Sequence, residues 1–149
     1  MTRTRLRLFA TGALALGGLI LIGMGLYFVF LRPALLPEDV RFMGAAAAQA
    51  QGSLPGLTPW LQRVFGVMGG FMVATGLLTV HVAVTTFRAA RPGAAMIVAV
   101  SGLASIGGMA VTNFAIHSDF RWLLLAFTLP WLVALTLSWV DERHGDRKD

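Results

Sequence analysis

Long uncharged runs alternate with short polar stretches along the chain. A helix of about 20 residues crosses a hydrocarbon core of roughly 30 Å. Because backbone groups in lipid must bond to one another, runs of this length predict helices, and no segment shows the alternating polarity of a membrane β-strand. We therefore predict an all-α polytopic membrane protein, one domain over residues 1–149, with four transmembrane helices in an antiparallel bundle. The predicted helices cover residues 8–31, 59–87, 92–116 and 122–140.

The segment between the first two helices, residues 32–58, is the longest predicted loop. Arg32 and Pro33 end the first helix, and the arginine is expected to reach the lipid headgroups. Pro37 suits a first helical position, and Glu38 and Asp39 suit a first turn. A short helix is therefore expected from there to about Ala50, on the membrane surface or against the bundle.

Small residues predict which helix faces touch, because they let backbones approach closely in lipid. The short link at residues 88–93 predicts that the second and third helices form an antiparallel pair. Pro130 predicts a kink in the fourth helix. The predicted contact residues are Gly66, Gly70 and Ala74 in the second helix, and Ser101, Ser105, Gly108 and Thr112 in the third.

Composition agrees with the membrane assignment and indicates an orientation. The chain is 56% hydrophobic and 13% charged, and its mean hydropathy is +0.73. The formal net charge is +5, but the basic residues lie at helix ends rather than on a polar face, which argues against nucleic acid as a partner. Eight of the twelve Lys and Arg residues share one side if both termini do, so the positive-inside rule predicts cytoplasmic termini in a bacterial inner membrane.

The two ends of the chain carry separate expectations. The first apolar run is longer than a secretory signal core of 7 to 15 residues, so the first helix is expected to remain as an anchor. The tail, residues 141–149, mixes charges of both signs and is expected to be a solvated, frayed end.

His81 is the one ionisable residue within the lipid-embedded part of a predicted helix, since Arg63 belongs at the interface. Its position near the small-residue ladder predicts that it faces protein, with Ser101 as the expected hydrogen-bond partner. A neutral imidazole bonded to a neighbour is one interpretation; a proton relay, a ligand contact or an axial haem position is the other. Roughly 25 to 30 Å of helical rise separates His81 from His117, so these two histidines cannot share one haem.

The two predicted outer loops hold the remaining candidate polar residues. Together they could form an anion pocket or a low-affinity metal site, since oxygen ligands with one imidazole suit several divalent metals. The alternative is that the acidic pair stabilises a helix N-terminus and that residues 117–121 form a turn among headgroups. The candidates are Glu38, Asp39 and Arg41 in the first loop, and Asn113, His117, Asp119 and Arg121 in the second.

No complete catalytic or metal-binding motif is present in the sequence. It has no cysteine, no HExxH, no nucleophile elbow and no phosphate-binding glycine loop. We therefore assign no catalytic residue, metal or cofactor, and an enzyme is the least favoured class of protein.

The segments LRPALLPEDVRFMG, RVFGVMGGFMVATGLLTVHVAVTTFR and SDFRWLLLAFTLPW resemble small bacterial inner-membrane proteins. Four short helices with a longer first outer loop also resemble the DoxX-like group, some of whose members are linked to quinone-related respiratory or redox-stress complexes. The resemblance transfers no functional position. We expect a structural or accessory subunit whose surroundings are the lipid bilayer and a membrane-protein partner or a second copy of the chain. The alternative is a binder or carrier of a small or lipophilic molecule such as a quinone.

Overall fold

The computed structural model describes residues 3–44, 49 and 52–145, and the described part of the chain is helical without strands. Four of its helices are long and apolar enough to cross a membrane, as the sequence predicts. They are α1 (Arg3–Phe30), α3 (Leu57–Phe87), α4 (Ala94–Ala115) and α5, which has two segments (Arg121–Ala126 and Leu129–Gly145); the short helix α2 (Pro37–Met43) follows α1.

Helix α1 lies between α3 and α5, and its contact with α3 is built on glycines. A β-carbon added to Gly18 would lie 2.8 Å from the carbonyl oxygen of Gly76, and one added to Gly25 would lie 2.6 Å from that of Gly69. Gly18 and Gly25 are seven residues apart in α1, and the glycines that they face, Gly76 and Gly69, are seven residues apart in the opposite direction in α3. Seven-residue spacing is typical of a left-handed antiparallel helix pair. The backbones approach so closely that these positions exclude any side chain.

Trp131 of α5 fills the centre of the bundle between two further glycines. Its indole is 3% exposed, and a β-carbon on Gly17 of α1 would lie 2.7 Å from the indole nitrogen Nε1. A β-carbon on Gly102 of α4 would lie 2.5 Å from the indole carbon Cε3. One large side chain on α5 thus contacts both α1 and α4 where glycine leaves room for it.

The predicted contact faces are wrong in detail. Open space surrounds Gly66 and Gly70, and the close contacts fall on the neighbouring glycines Gly69 and Gly76 instead. In α4, Gly102 meets another helix, whereas Gly108 is close only to its own backbone at Leu103. Small residues occur on two faces of each helix, so their spacing alone could not select the buried one.

The expected antiparallel pair of α3 and α4 is also wrong for most of its length. Helix α4 contacts α3 chiefly beside the connecting link, at residues 83–87, and packs mainly against α5. The link is short, but Ala90 (φ 48°) and Gly93 (φ 81°) both adopt left-handed backbone and turn the chain sharply. The spatial order of the helices is therefore α3, α1, α5, α4.

Each of α3 and α4 widens into one π-helical segment, at Ala83–Phe87 and Leu103–Gly107. In each case a hydroxyl group donates to the backbone carbonyl two residues before the segment. Thr85 Oγ1 donates to the His81 carbonyl at 2.6 Å, and Ser105 Oγ donates to the Ser101 carbonyl at 2.6 Å. These bonds occupy carbonyls at the point where the regular ladder shifts register. The segments therefore keep their backbone satisfied at membrane depth.

The remaining predictions for helix ends have mixed outcomes. Helix α2 begins at Pro37 as predicted, while the alanine run at residues 45–48 lies outside the described residues. Helix α5 is interrupted at residues 127–128, one turn before Pro130, and Thr128 Oγ1 donates to the Leu125 carbonyl there. The expectation of a frayed tail is wrong at its start, because α5 continues to Gly145 and Asp141 is 3% exposed.

Candidate functional site

The two outer loops meet, and the contacts join α2 to the turn between α4 and α5. The Ser118 hydroxyl donates to the Glu38 carboxylate at 3.2 Å, and both residues are buried. Arg41 pairs with Asp119 at 2.7 Å, and both side chains of this pair are more than half exposed. The inner contact excludes water, while the outer ion pair is screened by solvent and contributes little stability.

Arg32 connects this outer cluster to the bundle, and it is buried rather than extended toward headgroups as expected. Its side chain is 7% exposed and lies 3.5 Å over the ring of Phe65 and 5.3 Å from that of Phe28. The guanidinium also bonds the Asp39 carboxylate at 3.0 Å and the Pro33 carbonyl at 2.8 Å. A planar cation with five donors can bond and stack at once, so Arg32 attaches α2 to both α1 and α3.

Asp39 has a second role at the start of α2. Its carboxylate accepts the backbone N–H of Leu36 at 2.9 Å, so it satisfies a donor that precedes the helix. Glu38 and Asp39 thus stabilise the start of this helix, and one oxygen of each carboxylate, Glu38 Oε1 and Asp39 Oδ2, accepts hydrogen bonds. The structure thus agrees with the alternative interpretation of the sequence, in which the acidic pair stabilises a helix N-terminus.

The other three outer candidates are not drawn into the cluster. Asn113 donates to the Met109 carbonyl of its own helix at 3.0 Å. His117 is exposed and has left-handed backbone with φ 52°, and the bonds Ser118 N–H to Asn113 and His117 N–H to Phe114 form a helix-ending Schellman motif. Arg121 is half-buried at the start of α5. Within the described part of the chain, no three His, Asp or Glu residues lie close enough to hold a metal ion together.

His81 does not form the predicted bond with Ser101. The Ser101 hydroxyl donates to the Val98 carbonyl at 3.2 Å, and the His81 side chain is exposed on the outward face of α3. The prediction placed His81 correctly beside Gly66, Gly70 and Ala74, but that whole face points away from the bundle. An imidazole at membrane depth thus lies on the outside of this chain.

The opposite end of the bundle holds an ion pair with a buried carboxylate, which was not predicted from the sequence. Arg7 Nε lies 2.7 Å from Asp141 Oδ2, and the aspartate side chain is 4% exposed. The pair joins the first helix to the last across 134 residues. Its one sequence signal is that Asp141 follows directly on the apolar run ending at Val140, a poor place for a free carboxylate.

Two cavities open near this end of the bundle. One has a volume of about 330 Å³ and is lined by Thr4, Arg7, Leu8 and Arg88. The other has a volume of about 500 Å³ and is an apolar groove of α1 and α5, lined by Leu8, Phe9, Gly12, Ala13, Leu16, Val133 and Leu137. His81 lines neither.

Comparison of the chain with protein-family models, with curated proteins and with solved structures finds no match.

Proposed function

We propose that this protein is an accessory subunit of a larger assembly in the bacterial inner membrane, and that it packs against its partner through the outward face of α3. We call this face the α3 outer face; it comprises Gly66, Gly70, Ala74 and His81. The observation that carries the proposal is the exposed imidazole of His81. It lies seven residues, or about 10 Å of helical rise, from Arg88 at the end of α3.

Two physical arguments support a protein partner at this face. A polar ring facing hydrocarbon costs free energy unless a donor or acceptor meets it. On the same face of α3, Gly66 and Gly70 have no heavy atom within 4 Å of an added β-carbon, so another helix can approach the backbone there. A partner helix that packs closely against these glycines could supply the hydrogen-bond partner that the imidazole needs.

The alternative function, a binder of a lipophilic molecule such as a quinone, is less well supported. That function would favour a cavity that reaches His81, and the two cavities described lie elsewhere. The interior between α1, α4 and α5 is filled by Trp131 and by Leu14 and Ile106, each no more than 3% exposed.

The proposed orientation has both termini in the cytoplasm. Arg5, Arg7, Arg88 and Arg91 lie at the end of the bundle where α1 begins and α3 ends, and Arg143 lies at the end of α5. The positive-inside rule assigns this end to the cytoplasm. It assigns the opposite end, which holds the ion pairs Arg32–Asp39 and Arg41–Asp119, to the outside.

Substitution of Gly70 by leucine tests the proposed face. Gly70→Leu should abolish co-purification of the partner in mild detergent, because the leucine side chain occupies the space that the partner backbone needs. Gly23→Leu is the matched control, since Gly23 is an equally open glycine on α1. His81→Ala should weaken the complex by about threefold to tenfold, the value of one hydrogen bond.

Two differently tagged copies of the chain, expressed together, distinguish a second copy from another protein. If Gly70→Leu and Gly23→Leu retain the same co-purifying proteins in the same amounts, the α3 outer face is not the interface and the proposal fails.

A further inference from the structure

The cavity between the start of α1 and the end of α3 contains two arginines with unequal surroundings. Arg7 and Arg88 line it together with Thr4 and Leu8. The Nε atom of Arg7 bonds the buried carboxylate of Asp141. The Arg7 side chain is nevertheless 41% exposed, so the rest of its guanidinium group is accessible. Arg88 is exposed and has no ion pair within the described part of the chain. Two guanidinium groups therefore line the cavity, and Asp141 lies behind Arg7, outside the cavity lining.

The bond to Asp141 orients Arg7 without using all its donors. A guanidinium carries five N–H groups, and among the described residues Asp141 engages Nε alone, so four N–H groups on the two terminal nitrogens remain. Arg88 can supply a second fork from α3. Two guanidinium groups on one cavity suit a phosphate group, whose oxygens accept paired N–H donors.

The position of the cavity indicates that the phosphate belongs to a lipid. The cavity lies at the ends of two membrane-crossing helices, where headgroups are found. Leu8 lines it and also lines the apolar groove along α1 and α5. The groove continues along α1 by Gly12 and Leu16, toward the interior of the membrane. A phosphate held by the arginines would thus have an apolar surface for an acyl chain beside it.

We propose that this chain has a specific site for an anionic phospholipid, in which Arg7 and Arg88 bind the headgroup phosphate and an acyl chain follows the apolar groove. Thr4 adds a hydroxyl donor. Asp141 is a positioning residue, because it touches Arg7 and not the cavity. The site is distinct from the α3 outer face and does not depend on a protein partner.

Native mass spectrometry of the purified full-length protein tests the site. The protein is titrated with phosphatidylglycerol and, separately, with phosphatidylcholine. The wild-type chain should bind phosphatidylglycerol more tightly. Arg88→Gln should weaken this binding about fivefold, the value of one basic residue near a membrane surface. Arg88 has no described ion pair to lose, so the variant should fold.

Arg5→Gln is the matched control, because it removes the same charge from the same end of the bundle but lies outside the cavity. It should weaken the binding less than Arg88→Gln does, because Arg5 does not line the cavity and donates no hydrogen bond to the phosphate. Gly12→Leu fills the groove without touching the arginines and should also weaken lipid binding.

Three results would overturn the proposal. Equal losses in Arg88→Gln and Arg5→Gln would indicate diffuse attraction rather than a site. Equal affinity of the wild-type protein for the two lipids would remove the headgroup preference. Displacement of the lipid by glycerol phosphate at the same concentration would identify a soluble phosphate ester as the ligand.

Discussion

At the scale of single residues, the burial of an ion pair determines how much it contributes to stability. Arg32 and Arg41 lie nine residues apart in the outer segment, and each pairs with an aspartate. Arg32 is buried against two phenylalanine rings, whereas the Arg41 pair is exposed. The same ion-pair chemistry should therefore differ in its contribution to stability.

Arg32→Gln should lower the free energy of unfolding by about 2 kcal/mol, because a nearly buried ion pair and its stacking are lost together. Arg41→Gln is the control and should cost less than about 0.5 kcal/mol. Hydrogen exchange in a detergent micelle locates the effect: the amides of residues 37–43 should lose protection in the first variant only. Equal exchange in the two variants would show that Arg32 does not hold α2 in place.

His117 allows the backbone and the imidazole to be tested separately. Its left-handed backbone is a conformation that glycine adopts without strain. His117→Gly should therefore leave the free energy of unfolding unchanged or raise it by up to about 1 kcal/mol. The thermal midpoint of unfolding should accordingly stay the same or rise. A lowered midpoint would mean that the imidazole contributes to the outer cluster after all.

At the scale of the helices, the fold depends on glycines of a particular register. Gly18 and Gly25 face Gly76 and Gly69, while Gly23 lies on the same helix in open space. Composition does not separate these two groups. Only the relative rotation of α1 and α3 does.

Gly25→Ala should destabilise the protein by about 1 to 3 kcal/mol, since the added methyl group would meet the Gly69 backbone and helices cannot yield as a flexible side chain does. Gly23→Ala should have the opposite sign and stabilise by about 0.5 to 1 kcal/mol, because alanine is the better helix former in open space. Thermal unfolding of both variants in one detergent measures the difference. Two changes of the same sign would contradict the observed register.

At the scale of the whole molecule, the chain has four helices long and apolar enough to cross a membrane, and an even number of crossings predicts both ends on one side. The chain has no native cysteine, so single-cysteine variants report one position each. Ser53→Cys, in the outer segment, should react with an impermeant maleimide on cells with a permeabilised outer membrane. Ala89→Cys, in the link between α3 and α4, should react only after the inner membrane is opened. The reverse pattern would invert the proposed orientation.

The order of the helices in space has its own cause at this scale. The sequence order suggested that α3 and α4 pair along their length, but Trp131 brings α5 between α1 and α4. One large side chain facing two glycines outweighs the preference for sequence neighbours. The Arg7–Asp141 pair then fastens α1 to α5 at the end of the bundle.

The number, length and apolar character of the spans were predictable from the sequence, because a lipid environment requires about 20 apolar residues per helix and permits no unpaired backbone. The start of α2 at Pro37 and the break before Pro130 were also predictable, since proline restricts its own backbone locally. Glu38, Asp39, Arg41 and Asp119 were recognised as candidates from their residue types. In each case the physical cause acts over a few neighbouring residues.

Only the tertiary structure decided which faces touch and which charges are buried. Gly69 rather than Gly70 meets α1, Ser118 bonds Glu38, and His81 points outward rather than to Ser101. Each of these outcomes depends on how two helices are rotated against each other. That rotation is set by the best fit of whole surfaces, and a step of one residue turns a helix by about 100°.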